Sequence, residues 1–290
     1  MQRLIVVHNK KSSRAELAKE EIFREARKLS GFLIGKYEVV STDVDDNANR
    51  LAKILEDGDL VVTIGGDATA SIGLNGCLLS GKDVVFSALS FGNFGDTAKT
   101  LGNLNFKEVI ERFSENKIRD FYPINVLVDG EHFRFGAGYV TVGMMAESVE
   151  IFNQEKTRKK LKKKKRTEVS SYWWLAKWYF KNRKKKFLPG GYSDYFAVNG
   201  KNVAKFMKGK NYCFSKKFQA GKFKLSGIFS LGIFMMRSIF CRIPGDVKEK
   251  GGVLFHEKEK VTIQMEGESK TFYCQKIELL KDKKLKVVCR

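Results

Sequence analysis

Leu60-Val61-Val62-Thr63-Ile64 runs into Gly65-Gly66-Asp67-Ala68-Thr69. A short, continuous apolar run that ends in a glycine pair is the pattern of a buried parallel strand opening into a tight loop. Two glycines let the backbone approach a ligand closely. Asp67 follows at the strand tip, and Thr69 is expected to cap a helix over roughly residues 70–79. The N-terminus of that helix offers free N–H groups and the positive end of the helix dipole, which suit an anion such as phosphate. An aspartate beside bound phosphate is most simply a magnesium contact, direct or through water. A plain strand–turn–helix junction would carry the same residues, because short glycine motifs are weak signals.

On either side, strand and helix alternate. Residues 2–8 read as a strand, 15–29 as an amphipathic helix capped by Ser12 or Ser13, 37–41 as a second strand, and 43–55 as a helix capped by Asp43 or Asp45. Val84-Val85-Phe86 is a further strand, and 105–116 a further helix. This is the sequence form of a doubly wound, Rossmann-like α/β sheet, which binds ligands at the carboxyl ends of its strands. Asn9, Asp67 and Asn93 would all sit there. Beyond Phe121 short alternating runs and tight turns replace the helices, so an antiparallel, β-rich, sandwich-like unit is expected. The implied domains are 1–121 and 122–290, with the tail 276–289 a candidate to return to the first.

Composition narrows the function. A chain of 290 residues with 43% hydrophobic content can build two cores. Its net charge of +21 points to a polyanionic partner, either nucleic acid or an acidic membrane. Five scattered cysteines argue against a zinc site or a disulfide scaffold and fit a reducing cytoplasm. Three histidines make a histidine-based catalytic cluster improbable. Leu4-Ile5-Val6-Val7 is too short for the core of a secretory signal, and no run reaches the ~18 apolar residues a membrane span needs. The charge concentrates in Lys156–Lys186, where all three tryptophans lie between basic runs. Such a mixture suits an anionic membrane interface. It would also suit single-stranded nucleic acid, or a packed helix with solvated lysines.

Gly65-Gly66-Asp67-Ala68-Thr69 resembles the Gly-Gly-Asp-Gly-Thr signature of diacylglycerol, sphingosine and ceramide kinases. NAD kinases and phosphofructokinases use a related loop. A second block, Leu89 to Gly102, is similar to the lipid-kinase segment Gly-Thr-Gly-Asn-Asp-Phe-Ala-Arg-x-Leu-Gly, which NAD kinases lack. A third, Gln264-Met265-Glu266-Gly267-Glu268, is similar to Gln-x-Asp-Gly-Glu. Asn9, Ser12 and Arg14 match parts of the family's Asn-Pro-x-Ser-Gly loop and the arginine after it. The resemblance implies an ATP-dependent, magnesium-dependent lipid kinase that moves the γ-phosphoryl of ATP to a lipid hydroxyl such as that of diacylglycerol. Asn9, Ser12, Arg14, Gly65, Gly66, Ala68, Thr69 and Asn93 would line the nucleotide. Asp67 and Asp120 would hold magnesium, and Glu268 would be the general base. A cytoplasmic enzyme peripherally bound to an anionic membrane is the expected setting, and a homodimer is compatible with it.

The chain departs from that pattern in three places. Ala68 replaces the third glycine; if positive φ were needed there, alanine would cost ~1 kcal/mol or more. Phe94-Gly95 reads as a two-residue expansion of the second block. Lys216-Lys217-Phe218-Gln219-Ala220-Gly221-Lys222 stands where family members carry acidic residues for a structural magnesium, so that metal is expected to be absent. Two rival readings follow. One is a weak or inactive member that binds nucleotide and anionic membrane. The other is a nucleic-acid-binding protein explained by charge alone.

Overall fold

The structure is a computed structural model. It describes residues 2–9, 20–91, 95–154, 157, 174, 177–182, 185 and 187–224, together with 247–290, apart from positions 21, 28, 30, 42, 201, 205–206 and 209–210. Along the first half lie β1 (Gln2–His8), α1 (residues 22–27), β2 (Phe32–Glu38), α2 (Val44–Ala52), β3 (Leu60–Gly65), α3 (Asp67–Ser80), β4 (Val85–Ser90), α4 (Asp96–Thr100), α5 (Phe106–Ser114) and β5 (Ile118–Phe121). The second half carries β6 (Ile124–Val128), β7 (Glu131–Gly136), β8 (Tyr139–Gly143), α6 (Met144–Asn153), α7 (residues 177–182) and β9 (Asp194–Val198). It continues with β10 (Asn202–Ala204), β11 (Met207–Lys208), β12 (Phe218–Phe223), β13 (Val247–Lys248), β14 (Lys250–Met265), β15 (Glu268–Leu280) and β16 (Leu285–Val288).

Two sheets organise these elements. The first has the order β2-β1-β3-β4-β16-β5. Its strands β1 to β4 run parallel, and β16 joins parallel to β4 and antiparallel to β5. β3 is buried at every residue, as a strand covered on both faces must be. Alternation along β1 shows the two layers. Ile5 and Val7 pack with Leu51, Ile72 and Leu74 on the α2–α3 side. Leu4 and Val6 pack with Ile22, Ala26, Val109 and Phe113 on the α1–α5 side. The second sheet is antiparallel, in the order β13-β12-β9-β8-β14-β15-β6-β7, with its own core around Val126, Val142, Phe218, Phe255, Ile263 and Leu279.

Several local expectations shift. The second strand is 32–38 rather than 37–41, because parallel register on β1 pairs Gln2 with Phe32 and His8 with Glu38. Asp43 caps α2, accepting from the amides of Asp45 and Asp46. Helix α3 begins earlier than expected: extended Gly66 is its cap, and Thr69 lies buried inside the first turn. Thr69 packs so close to Gly65 that a β-carbon on Gly65 would meet Thr69 Oγ1 at 2.5 Å. A helix also interrupts the β-rich half: β8 ends at Gly143, φ +108°, and α6 starts at Met144. Residues 213–214 form a turn.

The chain crosses between sheets after β5 and again between β15 and β16. The two units also grip each other directly. Asn75 of α3 exchanges both of its amide hydrogen bonds with the backbone of Phe135, at 3.0 and 2.8 Å. Asp45, at the start of α2, pairs with Arg134 at 2.7 Å and with Lys270 at 3.2 Å. These contacts hold the end of the β14–β15 hairpin against the carboxyl edge of the first sheet.

Candidate active site

The carboxyl ends of β1, β3 and β4 lie side by side: His8 is level with Ile64, and Gly65 with Ser90. Asn9, half-buried, therefore neighbours the Gly65–Gly66 turn. Ser12, Arg14 and Asn93 lie outside the described residues. Helix α3 starts at this edge with no side-chain cap, so its first amides face the cleft as donors. Ala68 stands in the first turn, in a helix and without positive φ. Its methyl packs against the cluster that holds Ile5, Val7 and Ala70. The conformational penalty expected for alanine is therefore absent.

Asp67 does more than point outward. Its carboxylate accepts the amide of Gly95 at 3.0 Å and that of Thr97 at 3.2 Å, and so caps α4. Gly95 needs its glycine: φ is +62°, and a β-carbon would fall 1.9 Å from Ser90 Oγ. The cap turns the next residue, Asp96, inward, where only 3% of it is exposed. Burial, then the nearby charge of Asp67, push the Asp96 carboxyl up to about 7, opposed by Lys99. The ammonium of Lys99 lies 3.6 Å from Asp96 Oδ1. Burial likewise raises Asp67, against three backbone hydrogen bonds and the Lys99 charge.

A third acid arrives from the second sheet. β14 and β15 are joined by a two-residue turn, Glu266–Gly267, with φ of +50° and +83°. That geometry normally selects Asn-Gly. A glutamate at positive φ costs ~1 kcal/mol. Here it sinks a carboxylate into the junction at 1% exposure. Glu266 Oε1 accepts the amides of Ala137 and, at 2.8 Å, of Gly138, while Oε2 has no hydrogen-bond partner. Burial drives this acid up to about 8, and the charges of Asp67 and Asp96 add to the rise. Glu268, the expected base, starts β15 opposite Met265 at the same hairpin end and is half-buried.

Asp67, Asp96 and Glu266 thus form an acidic cluster around an uncapped helix N-terminus. Buried carboxylates that raise one another's affinity for protons equally raise their affinity for a cation. Among the described residues no three acidic, histidine or cysteine side chains lie close enough to ligate one ion by themselves. Magnesium characteristically uses one or two carboxylates and fills its remaining positions with water and substrate phosphate. Asp67 and Asp96, whose Oδ1 has the Lys99 ammonium as an ion-pair neighbour but no hydrogen bond, fit that requirement.

Asp120, the other expected magnesium contact, is not brought to this cluster. It is a half-buried residue of β5, ion-paired with Lys284 at 3.0 Å. Its ladder partner Lys286 is level with Val85, at the opposite end of β4 from Ser90. A strand rise of ~3.3 Å per residue puts that level roughly 16 Å from the glycine turn.

Residues 3–126 match the diacylglycerol kinase catalytic domain family. That span contains the glycine turn, Asp67 and Asp96. No curated protein matches the chain. The fold is similar to that of solved structures: a putative diacylglycerol kinase from Bacillus anthracis str. Sterne superposes with a TM-score of 0.65 at 15% identity, covering 100% of this chain and 98% of its own. Two further structures of putative diacylglycerol kinases from the same organism give TM-scores of 0.63, again at 15% identity, with 100% of this chain covered and 98% and 97% of theirs.

Proposed function

We propose that the chain is an ATP-dependent lipid kinase that transfers the γ-phosphoryl group of ATP to a lipid hydroxyl such as that of diacylglycerol, at an anionic membrane surface. The observation that carries the reading is the meeting of Asp67 and Asp96 beside the uncapped start of α3, inside the span that matches the catalytic family. The α3 amides would receive phosphate oxygens, and Asn9 would border the nucleotide. Asp67 and Asp96 would hold magnesium, which when bound neutralises charge on the phosphates. Glu268 would take the proton of the lipid hydroxyl as that oxygen bonds to the γ-phosphorus and the bond to the β-bridging oxygen breaks. Glu266 is pinned by two amides and fully buried, so it shapes the cleft rather than receiving that proton.

Among the described residues no helix is long and apolar enough to cross a membrane. A lipid acceptor would therefore be met at the surface. The segment Lys156–Lys186 is the proposed contact. Most of it lies outside the described residues, but in α7 Tyr179 is buried beside Met144, Phe196 and Trp178 while Phe180 is 43% exposed. One face of that helix packs and another is available for docking. Labelled ATP supplied with a panel of lipid hydroxyls in anionic vesicles tests the reading. Magnesium-dependent label in a lipid product is the expected result. Nucleotide binding with no transfer to any acceptor would refute the kinase assignment.

A further inference from the structure

Lys281 sits in the return crossing between β15 and β16 and is only 4% exposed. A buried ammonium is normally paired with a carboxylate. None pairs with this one among the described residues. Its Nζ donates to four neutral oxygens: Asn199 Oδ1 at 2.6 Å, and the backbone carbonyls of Tyr212 at 2.8 Å, Ser215 at 2.5 Å and Lys217 at 3.1 Å.

The side chain and the loop that carry these oxygens are tied down by bonds that do not involve the lysine. Asn199 Nδ2 donates to the carbonyls of Tyr122 and Ala137, at 2.9 and 2.8 Å, which fixes Oδ1 toward Lys281. The 212–217 loop is closed by Ser215 N donating to the Tyr212 carbonyl at 2.9 Å. It is tied to the first crossing by Tyr122 N donating to the Cys213 carbonyl at 2.7 Å. Three backbone carbonyls and an amide oxygen therefore converge on one point at the junction of the two sheets.

Such a set of acceptors discriminates between the two forms of the amine. An ammonium has three protons for the four oxygens; a neutral amine has two, and its lone pair would face an oxygen. Burial pulls the other way, toward about 7, with the neighbouring Cys213 opposing it; hydrogen bonds to the charged form favour that form. Uncharged carbonyl rings are how proteins replace the hydration shell of potassium. The spacing of 2.5–3.1 Å is too wide for magnesium, which requires ~2.0–2.1 Å.

We infer that this is a cation site whose occupant the chain supplies covalently: the Lys281 ammonium is a tethered cation, and without its side chain the cage takes up free ammonium or potassium. The site locks five segments together, namely both crossings, the β7–β8 turn, the residue after β9 and the 211–217 loop.

Melting temperatures of the full chain in sodium, potassium and ammonium chloride at equal ionic strength test this. Wild type should melt at one temperature in all three salts. Lys281→Ala should melt lower in sodium and recover at least half of that loss in ammonium or potassium. Lys281→Met, whose stem fills the space without a charge, should stay low in all three. A Lys281→Ala chain that melts like wild type in sodium, or that recovers in neither salt, overturns the inference. Should the alanine variant not fold, the wild-type side chain itself decides. Proton–nitrogen correlation spectra of labelled lysine should show a slowly exchanging ammonium at neutral pH, and a neutral amine there would overturn the inference.

Discussion

Glu266→Gln isolates the electrostatic cost of the buried cluster. Glu266 is an acid whose affinity for protons is raised on folding, from the ordinary glutamate value of 4.5 to about 8. The sign follows from linkage: between these values the folded chain binds a proton that the unfolded chain releases, so stability falls as pH rises through the window. Below the unfolded value the acid is neutral in both states and costs nothing. Above the folded value the full penalty applies. At ~1.36 kcal/mol per unit it is at most ~5 kcal/mol, and relaxation of the site brings it nearer ~2 kcal/mol. Glutamine is neutral throughout, matches the shape, and its oxygen can still accept the amides of Ala137 and Gly138. The variant should therefore melt close to wild type near pH ~5 and above it near pH ~8.5. With ~2–4 °C per kcal/mol, the gain is about 4–8 °C. Excess magnesium should narrow it, since a cation near the cluster favours the ionised acid. Thermal unfolding across the pH range is the assay. A difference between variant and wild type that is the same at both ends of the range would refute the account, as would a variant destabilised at the alkaline end.

The remaining expectations concern the reaction, the alanine of the glycine motif, and the membrane. Asp67→Asn keeps one oxygen for the two α4 amides, so it should cost ~1 kcal/mol of stability, yet lower magnesium-dependent transfer by more than ~100-fold; unchanged transfer would remove Asp67 from the metal site. Glu268→Gln should lower turnover by ~10²-fold or more with ATP affinity unchanged, and a variant that loses ATP affinity at full turnover would reassign the residue to the nucleotide. Ala68→Gly should destabilise by up to ~1 kcal/mol, as a glycine in a helix does, and leave the KM for ATP unchanged; a fall in KM would mean that the methyl obstructs phosphate. Replacing Lys162, Lys163, Lys164 and Lys165 with glutamine should weaken sedimentation with anionic vesicles, and Trp173→Ala with Trp174→Ala should make what remains wholly salt-sensitive. Wild-type protein that stays in the supernatant at low salt would refute membrane contact.

The parallel half of the fold was legible because its strands are apolar without interruption, and only a strand covered on both faces tolerates that. Leu60 to Ile64 announces such a strand wherever it is read. Strand β2 was harder. It lies at the sheet edge, where half-exposed residues such as Lys36 and Glu38 blur the pattern, and its register is set by β1 rather than by its own sequence. Val140 to Gly143 illustrates a different difficulty. Glycine before an apolar run can open a helix or end a strand, and here it does both: β8 closes on Gly143 and α6 begins behind it. The insertion of β16 between β4 and β5 is set by pairing over nearly the whole chain length, which no local window contains.

The site was legible to the extent that its motif positions stay within one loop. Registered on Asn93, the second block needs an expansion at Phe94-Gly95 and leaves Asp96 without a counterpart. Registered instead on Ala98, Leu101 and Gly102, Gly92 to Gly102 aligns with the lipid-kinase segment without insertion. Asp96 then falls on its aspartate, and Gly95 on its asparagine. The structure supplies the reason for that glycine: at φ +62°, with Ser90 against it, the backbone reaches Asp67 only if position 95 has no side chain. Asp120 is the opposite case. It matched by its place in the sequence order, but the ladder through Lys286 carries it to the far end of the sheet, where Lys284 neutralises it. Ala68 completes the contrast. As a letter it breaks the glycine motif; as backbone it is one residue of a helical first turn whose methyl faces the core, where alanine is the better helix former. What a motif position requires is a backbone conformation and a free volume, and a departure matters only when the new side chain violates one of them.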